Sequence, residues 1–295
     1  MRALIFKELA PIETIKIEEL PKQTPQKGQV LIKLTSAGLN RADLLFPEGR
    51  YFSKPDFTNT YSRLGFEGAG IIEQVGLDVS FNIGDRVAIA PLSLDVSRQG
   101  CFSEYGVYDA NTLIPTPDSI PDHHAASIWM QYLTAWGGLV IDGELKKGQT
   151  VVITAASSSV GIAAIQVANM IGAVSIATTT SEDKVSQLKQ LGAQHVINMK
   201  SDDYVDQIKS ITKNKGTDLV FDAVAGPDTR HLVQGSAIGS KVIIQGMLDR
   251  RPMDIHAGVL MKRLLTVKGF TVNMILDNPE LLSNCAKQIT QGIND

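Results

Sequence analysis

The first part of the chain alternates short apolar segments with turn residues. β-Branched runs cover residues 30–38, 69–76 and 85–92, and Gly, Pro and Asp bound these runs. Short runs separated by turns predict the strands of a compact, mostly antiparallel or barrel-like unit. This pattern continues as far as about Pro121.

From Thr150 onward, apolar runs alternate with helical patterns. The predicted strands cover residues 150–156, 174–180, 195–199, 218–224 and 241–248. The predicted helices begin at Val160 and cover residues 184–193 and 202–213. Buried strands that alternate with helices indicate right-handed βαβ units and a parallel sheet. Three prolines (115, 117 and 121) mark the connection between the two regions.

The turn after the first of these strands reads TAASSSVGIAA, where a G-x-G-x-x-G dinucleotide fingerprint would lie. The fingerprint positions hold Ala156, Ser158 and Gly161. Gly161 keeps the role of close helix packing, and Ser158 adds a hydroxyl beside the N–H groups of the helix start. A serine-capped helix in any α/β protein would have the same pattern. The loop alone leaves both interpretations open.

Composition and charge narrow the function classes. The chain is 43% hydrophobic and 20% charged, and its net charge of −3 gives no electrostatic reason to expect nucleic acid or anionic lipid as a partner. The N-terminal segment alternates apolar and charged residues, unlike a signal peptide, and no apolar run is long enough to span a bilayer. The two cysteines are too few for a disulfide scaffold. We expect a cytoplasmic protein.

Several motifs in one order resemble the medium-chain dehydrogenase/reductase superfamily, and in particular its zinc-independent quinone oxidoreductase branch. They are RLGFEGAGIIEQVG, IWMQYLTAWGGL and the serine loop, with GLNRADL, GDRVAIAP and FDAVAGP also in place. The resemblance implies an α/β chain with a GroES-like β-barrel catalytic domain at 1–120 and a Rossmann dinucleotide-binding domain at 121–266. Residues 267–295 would return to the catalytic domain, and the active site would lie in the cleft between the domains.

The zinc ligands of metal-dependent relatives have no equivalent here. The resemblance places Asn40, Phe66 and Met130 in those positions, and phenylalanine cannot ligate zinc, while an amide or a thioether ligates it poorly. Glu67 remains but could not hold a metal alone. His123 and His124 would point about 100° apart in a helix, and we interpret them as its polar start. No metal is expected.

The resemblance also implies which residues contact the cofactor. They lie on the serine loop, at later strand ends and near a family threonine beside the nicotinamide. The set is Thr134, Ser158, Ser159, Val160, Gly161, Thr179, Ser181, Lys184, Asn198, Gly246, Met247, Leu248 and Phe270.

The end of the second parallel strand bears on the choice of cofactor. NAD enzymes usually carry an acid there, whereas this strand ends in three threonines, 178–180. We interpret Glu182 and Asp183 as first-turn acids behind a Ser181 N-cap. By the resemblance, Lys184 would bind a 2′-phosphate, although Met199 replaces a tyrosine that relatives often have. We expect NADPH.

Hydride reduction of a quinone or an α,β-unsaturated carbonyl needs a donor to the acceptor oxygen, where negative charge develops. The candidates are Asn40, Tyr51, Gln131 and Tyr132. Asn40 could instead cap the short helix RADLLF with Asp43, and Tyr51 could be a packed aromatic. A second family tyrosine is Leu45 here, which weakens any fixed tyrosine scheme.

Two functions from different classes remain. The first is an NADPH-dependent reductase of quinones or activated double bonds, acting on a small molecule. The second is a nucleotide-binding sensor or structural protein with little turnover. A zinc alcohol dehydrogenase is disfavoured by Phe66.

The segment LLTVKGFTV (264–272) lies where the family has the edge strand of the Rossmann sheet. An exposed edge can pair with a two-fold partner, so we expect a homodimer with one continuous sheet. Relatives continue past QGIND with a further helix and a closing strand. We therefore expect an altered closure of the catalytic domain and a lost contact to the cofactor phosphate, unless the real chain continues.

Overall fold

The computed structural model describes residues 1–201 and 203–294. Contacts divide the chain into two compact units, one formed by Met1–Met130 with the chain end from Ile293, and the other by Gln131–Gly292. The domain bounds predicted from sequence concern family domains rather than contact-defined units, and they stay a prediction.

The first unit is built of antiparallel strands. Its strands are β1 (Arg2–Phe6), β2 (Lys16–Glu19), β3 (Gln29–Ala37), β4 (Ser62–Arg63), β5 (Gly68–Val75), β6 (Arg86–Ile89), β7 (Tyr105–Asp109) and β8 (Leu113–Pro115). They form one sheet of order β2-β1-β4 and another of order β7-β3-β5-β6-β8. Two short helices join them, α1 (Arg41–Leu45) and α2 (Val96–Gln99). The predicted barrel-like antiparallel unit is confirmed.

The core of the first unit is aromatic on one side. The ring of Phe46 meets those of Phe6 and Phe66 edge-on, with centroids 6.1 and 5.4 Å apart. Such edge-to-face pairs add to the stabilisation that area burial gives. Beside this cluster, Ala37 of β3 lies opposite Gly68 of β5. This register brings the residues that follow β3 next to the residues that precede β5.

The second unit contains a parallel sheet. Its strands are β9 (Thr150–Ile153), β10 (Val174–Thr179), β11 (His195–Asn198), β12 (Thr217–Asp222), β13 (Ser236–Ile244) and β14 (Thr266–Gly269). Every strand pair is parallel, and the order is β11-β10-β9-β12-β13-β14. Counted from β9, this is the doubly wound order 3-2-1-4-5-6, which reverses between β9 and β12. The predicted Rossmann-type sheet is confirmed, with β14 at its edge.

Helices follow and precede the strands of this sheet. They are α3 (Trp129–Trp136), α4 (Ser159–Ile171), α5 (Lys184–Gln190), α6 (Tyr204–Ile211), α7 (Thr229–Gln234), α8 (Ala257–Arg263), α9 (Asn273–Leu276) and α10 (Pro279–Asn294). Within residues 1–201 and 203–294, no helix is long and apolar enough to cross a membrane. The predicted helix at 202–213 is α6, and its first residue, Asp202, lies outside the described residues.

One local prediction is wrong and another is confirmed only in part. Helix α5 begins at Lys184, and its N-cap position is Asp183 rather than Ser181. His123 and His124 precede a short 3₁₀ turn, and their rings lie in contact, with centroids 4.2 Å apart. His124 is the N-cap of that 3₁₀ helix, so the predicted polar start of a helix is confirmed, while the predicted divergence of the two side chains is wrong because both residues lie before the helix.

Candidate active site

The serine loop joins β9 to α4 at the point where the strand order reverses. Ser158 is the N-cap of α4, and its Oγ accepts the Gly161 N–H at 3.1 Å. A Cβ on Gly161 would lie 2.6 Å from the Cα of Ala156, so glycine is required for this packing. Ala155 has a φ of +46°, a strained value for a residue with a side chain. The predicted cap and the predicted packing role of Gly161 are confirmed.

A buried carboxylate supports this loop from the neighbouring strand. Thr154, after β9, donates from Oγ1 to Oδ1 of Asp222 at 2.6 Å, and the Ala223 N–H donates to the same Oγ1 at 2.8 Å. Asp222 also accepts the N–H groups of Val224 and Ala225. One acid thus organises the turns after both β9 and β12. Sequence reasoning missed this pair.

Strand β10 ends in uncharged residues, and the Lys184 ammonium group lies near this end. Lys184 Nζ lies 3.2 Å from the Oγ of Ser157 in the serine loop. Thr179 Oγ1 accepts the Ser181 N–H at 3.1 Å, which fixes the turn into α5. The Asn198 amide donates to Glu182 Oε2 at 3.1 Å, so this predicted cofactor residue is engaged with an acid.

The loop after β13 packs against the loop after β12. A Cβ on Gly246 would lie 2.7 Å from the Ala223 carbonyl oxygen, whereas Met247 and Leu248 are 60% and 55% exposed. An open cavity of about 690 Å³ is lined by Val224, Leu248, Asp249, Arg250 and Arg251. The Arg251 guanidinium pairs with Asp249 at 2.6 Å and lowers the pKa of that carboxyl to about 2.

Phe270 and Thr134 of helix α3 are buried, unlike the exposed residues of the loop after β13. Phe270 is buried, and a Cβ on Gly137 would lie 2.4 Å from its ring. Thr134 is buried on α3. Tyr132, on the same helix with Gln131, donates from its hydroxyl to Gln166 of α4. The Tyr132 hydroxyl is therefore engaged within the second unit.

Two buried carboxyl groups lie together in the first unit, and neither has a basic partner within residues 1–201 and 203–294. Asp43, on α1, accepts the Asn40 N–H at 2.7 Å and the Phe66 N–H at 3.3 Å. Burial raises the pKa of Asp43 to about 6, although these N–H groups lower it. Glu67 accepts the Met130 N–H at 2.9 Å and the Asn40 amide at 3.3 Å. Burial raises the pKa of Glu67 to about 7.

Of the two roles that the sequence leaves open for Asn40, helix cap and substrate contact, the structure shows the cap. Asn40 is the N-cap of α1 and forms a capping box with Asp43, so the predicted cap is confirmed. Its side chain also contacts Glu67, a relationship that the sequence did not indicate.

Tyr51 lies beside this cluster as a half-buried aromatic. Its ring packs on Phe66 and Phe52, with centroids 5.2 and 5.5 Å away. Desolvation, with a smaller contribution from Asp43, raises the pKa of Tyr51. Within the described part of the chain, no hydrogen-bond partner of its hydroxyl is found. The packed-aromatic interpretation is therefore confirmed for the ring, while the hydroxyl can still serve as a neutral donor.

Comparison with known proteins places these features in a family. Residues 26–118 match the alcohol dehydrogenase GroES-like domain, and residues 159–287 match the zinc-binding dehydrogenase family. The quinone oxidoreductase of Rattus norvegicus is 31% identical over 262 residues, which cover 87% of this chain and 77% of that protein. The chain belongs to the medium-chain dehydrogenase/reductase superfamily, in its quinone oxidoreductase-like branch.

Other similar proteins include a much longer chain and a solved structure. A mycocerosic acid synthase-like polyketide synthase of Mycolicibacterium smegmatis is 31% identical over 247 residues, which cover 83% of this chain and 11% of that protein. The chain thus spans about a tenth of the length of that relative. The crystal structure of Escherichia coli quinone oxidoreductase complexed with NADPH has a TM-score of 0.87 and 24% identity, covering 99% of this chain and 87% of that one. At this identity the likeness shows the fold.

The zinc implied by one matching family does not fit the residues of this medium-chain dehydrogenase/reductase. By the resemblance, the positions of the catalytic ligands correspond to Asn40, Phe66 and Met130. Phe66 is 1% exposed and packs between Phe46 and Tyr51, so it supplies no ligand. The Asn40 side-chain amide donates to Glu67, while its backbone N–H donates to Asp43. Cys101 is buried, and burial raises the pKa of its thiol to about 12, which disfavours the thiolate that zinc requires.

Proposed function

We propose that this chain is an NADPH-dependent oxidoreductase that reduces a quinone or an α,β-unsaturated carbonyl without a metal. One observation carries the cofactor part of the proposal. Lys184 lies beside Ser157 at the uncharged end of β10, next to the Ser158-capped start of α4. A helix N-terminus with free N–H groups suits a pyrophosphate, and a lysine beside a strand end that lacks an acid suits a 2′-phosphate.

The cofactor, when bound, supplies the hydride; the chain supplies orientation and charge stabilisation. The loops after β9, β12 and β13 lie at the carboxyl ends of the parallel strands, where open α/β sheets bind their ligands. Asp222 and Thr154 hold two of these loops, and Gly246 allows the third to approach the Ala223 carbonyl. A cofactor site organised in this way needs little rearrangement on binding.

The acceptor oxygen needs a hydrogen-bond donor, because charge develops there as the hydride is transferred. In the first unit, Asn40 and Tyr51 carry donors that can serve. The Asn40 backbone N–H donates to Asp43 and its side-chain amide to Glu67. Tyr51 stays neutral because desolvation raises its pKa. In the second unit, the Tyr132 hydroxyl is already bonded to Gln166, so we rank it and the neighbouring Gln131 behind Asn40 and Tyr51.

The test is oxidation of NADPH, followed by its absorbance, with a panel of quinones, enals and enones in buffer with a chelator. Turnover of at least one acceptor, unchanged by added zinc, is the expected result. A parallel panel with NADH checks cofactor choice. Tight NADPH binding without turnover of any acceptor would instead favour a nucleotide-binding sensor, and dependence on added zinc would contradict the metal-free scheme.

Assembly forms a second part of the proposal. Strand β14 pairs only with β13 among the described residues, and all four of its residues are exposed. Leu264, at 70% exposure, lies just before it. We propose a homodimer in which two such edges continue one sheet. The cytoplasmic location stays a prediction.

A further inference from the structure

The Glu67 carboxylate has different partners on its two oxygens. Oε1 accepts the Met130 N–H at 2.9 Å, and Oε2 lies 3.3 Å from Nδ2 of Asn40. The residue is 3% exposed. A Cβ on Gly38 would lie 2.6 Å from Oε2 and 2.5 Å from the Ala126 carbonyl oxygen, so only glycine admits the carboxylate here. Glu67 is therefore held in one place by its surroundings.

The hydrogen bonds of the Asn40 side chain define which way its amide faces. In the capping box, the side chain faces the Asp43 N–H with its amide oxygen, while that N–H donates to the Asn40 backbone carbonyl at 3.0 Å. One of the two Nδ2 hydrogens goes to Glu67. The other has no acceptor in the described part of the chain, and Asn40 is only half-buried. The amide thus keeps one free donor.

We propose that Glu67 is a positioning residue whose ionised carboxylate orients the Asn40 amide so that its free N–H can donate to the acceptor oxygen. This inference rests on the proposed function, in which Asn40 is that donor. A flipped amide would place its oxygen against the carboxylate, where the two would repel. A protonated Glu67 could donate to the amide oxygen and would permit the flip.

The groups that face Glu67 favour a change in its protonation state near neutral pH. Burial raises its pKa to about 7; the Met130, Asn40 and Trp129 donors lower it, and Asp43 on α1 raises it. Cys101, before β7, is a further titratable neighbour, and the buried Arg63 guanidinium acts on that thiol. The orienting form of Glu67 should therefore be lost as pH falls through about 7.

The experiment is a double-mutant cycle in kcat/KM with Glu67→Gln, Asn40→Ala and both together. The amide introduced by Glu67→Gln would present an N–H toward either Asn40 or Met130, so donor would face donor. Each single variant is expected to lose about tenfold or more in kcat/KM, as when one oxyanion donor is removed, with the NADPH Kd unchanged. The double variant is expected to be no worse than Asn40→Ala. Glu73→Gln, at a glutamate in β5 paired with Lys22, is the matched control.

The pH profiles of the variants test whether Glu67 acts through Asn40. The acid limb of the wild-type pH profile, near pH 7, should be absent in both Glu67→Gln and Asn40→Ala. Independent losses that multiply in the double variant, or an acid limb that persists in Asn40→Ala, would overturn the inference, because Glu67 would then act elsewhere.

A readout without turnover separates this inference from the proposed function. The ¹⁵N side-chain amide signals of Asn40, assigned by their loss in Asn40→Ala, should titrate near pH 7 in wild type and not in Glu67→Gln. If the wild-type chain reduces no acceptor, the proposed function fails, yet this titration still reports whether Glu67 controls the amide. Signals that do not move between pH 5 and pH 9 would overturn the inference.

Discussion

Thr154 Oγ1 donates a hydrogen bond of 2.6 Å to Oδ1 of Asp222 where the strand order of the parallel sheet reverses. The two residues are 68 positions apart in the chain and both are buried. Because Asp222 also accepts two backbone N–H groups of its own turn, one carboxylate joins the ends of β9 and β12. A loop that carries strain at Ala155 needs such support.

Thr154→Val should weaken both folding and cofactor binding. The change keeps the side-chain volume but leaves the Ala223 N–H and Asp222 Oδ1 each short of a partner. We expect the free energy of unfolding to fall by about 1–3 kcal/mol and the Kd for NADPH to rise. Urea unfolding and fluorescence titration measure the two effects. Thr178→Val is the matched control, because the Thr178 side chain makes a single weaker bond, at 3.3 Å to the Ile153 carbonyl. Equal losses in both variants would contradict the role assigned to the hydrogen bond between Thr154 and Asp222.

Lys184→Gln should separate NADPH from NADH. Lys184 is exposed beside Ser157, so its charge is available to a 2′-phosphate that NADH lacks. We expect the Kd for NADPH to rise about tenfold, which corresponds to roughly 1.4 kcal/mol, and the Kd for NADH to stay unchanged. Calorimetry on both cofactors checks this. Lys189→Gln, an exposed lysine on the same helix, should change neither, and an equal effect of Lys184→Gln on both cofactors would contradict the 2′-phosphate role.

The buried carboxyl groups predict how stability depends on pH. The pKa of Glu67 is raised from 4.5 to about 7, so between these values the folded chain binds more protons than the unfolded chain. The free energy of unfolding therefore falls as pH rises through that window, by about 3 kcal/mol from Glu67. The pKa of Asp43 is raised from 3.8 to about 6, so this group also lowers the free energy of unfolding as pH rises, in a lower pH range.

Urea unfolding from pH 4.5 to pH 8 measures this dependence. Glu67→Gln should flatten the plot of unfolding free energy against pH. Glu73→Gln should leave the shape of this plot between pH 4.5 and about 7 unchanged. A wild-type stability that rises with pH across the window would show that Glu67 is ionised throughout in the folded chain.

Much of the fold could be predicted because its strands have a pattern of their own. Parallel strands buried on both faces are nearly continuous apolar runs, and Val151, Val152 and Ile153 are indeed fully buried. The role of Gly161 followed from its fixed place in a short motif. Such features depend on residues near one another in sequence.

The site contacts could not be predicted in this way, because they join distant parts of the chain. Glu67 and Met130 are 63 residues apart, and the Tyr132 hydroxyl reaches Gln166 on another helix. The Ser181 cap was wrong for a local reason: the Ser181 N–H is itself bonded to Thr179, and helix α5 begins two residues later than a Ser181 cap requires. Asp222 offered one signal, an acid at the end of an otherwise apolar strand.

Val267→Lys should break the proposed homodimer. Val267 lies within β14, where every residue is exposed, and Met261 and Leu264 nearby are 75% and 70% exposed. A lysine in the middle of an edge strand opposes pairing with a second edge, since two like charges would meet across the two-fold axis. Light scattering at micromolar concentration should give twice the chain mass for wild type and the single-chain mass for Val267→Lys, with the NADPH Kd little changed. Leu77→Lys, at a 77% exposed position in the first unit, should remain dimeric. A wild-type chain that is monomeric at this concentration, or a Val267→Lys variant that stays dimeric, would place any self-association elsewhere than β14.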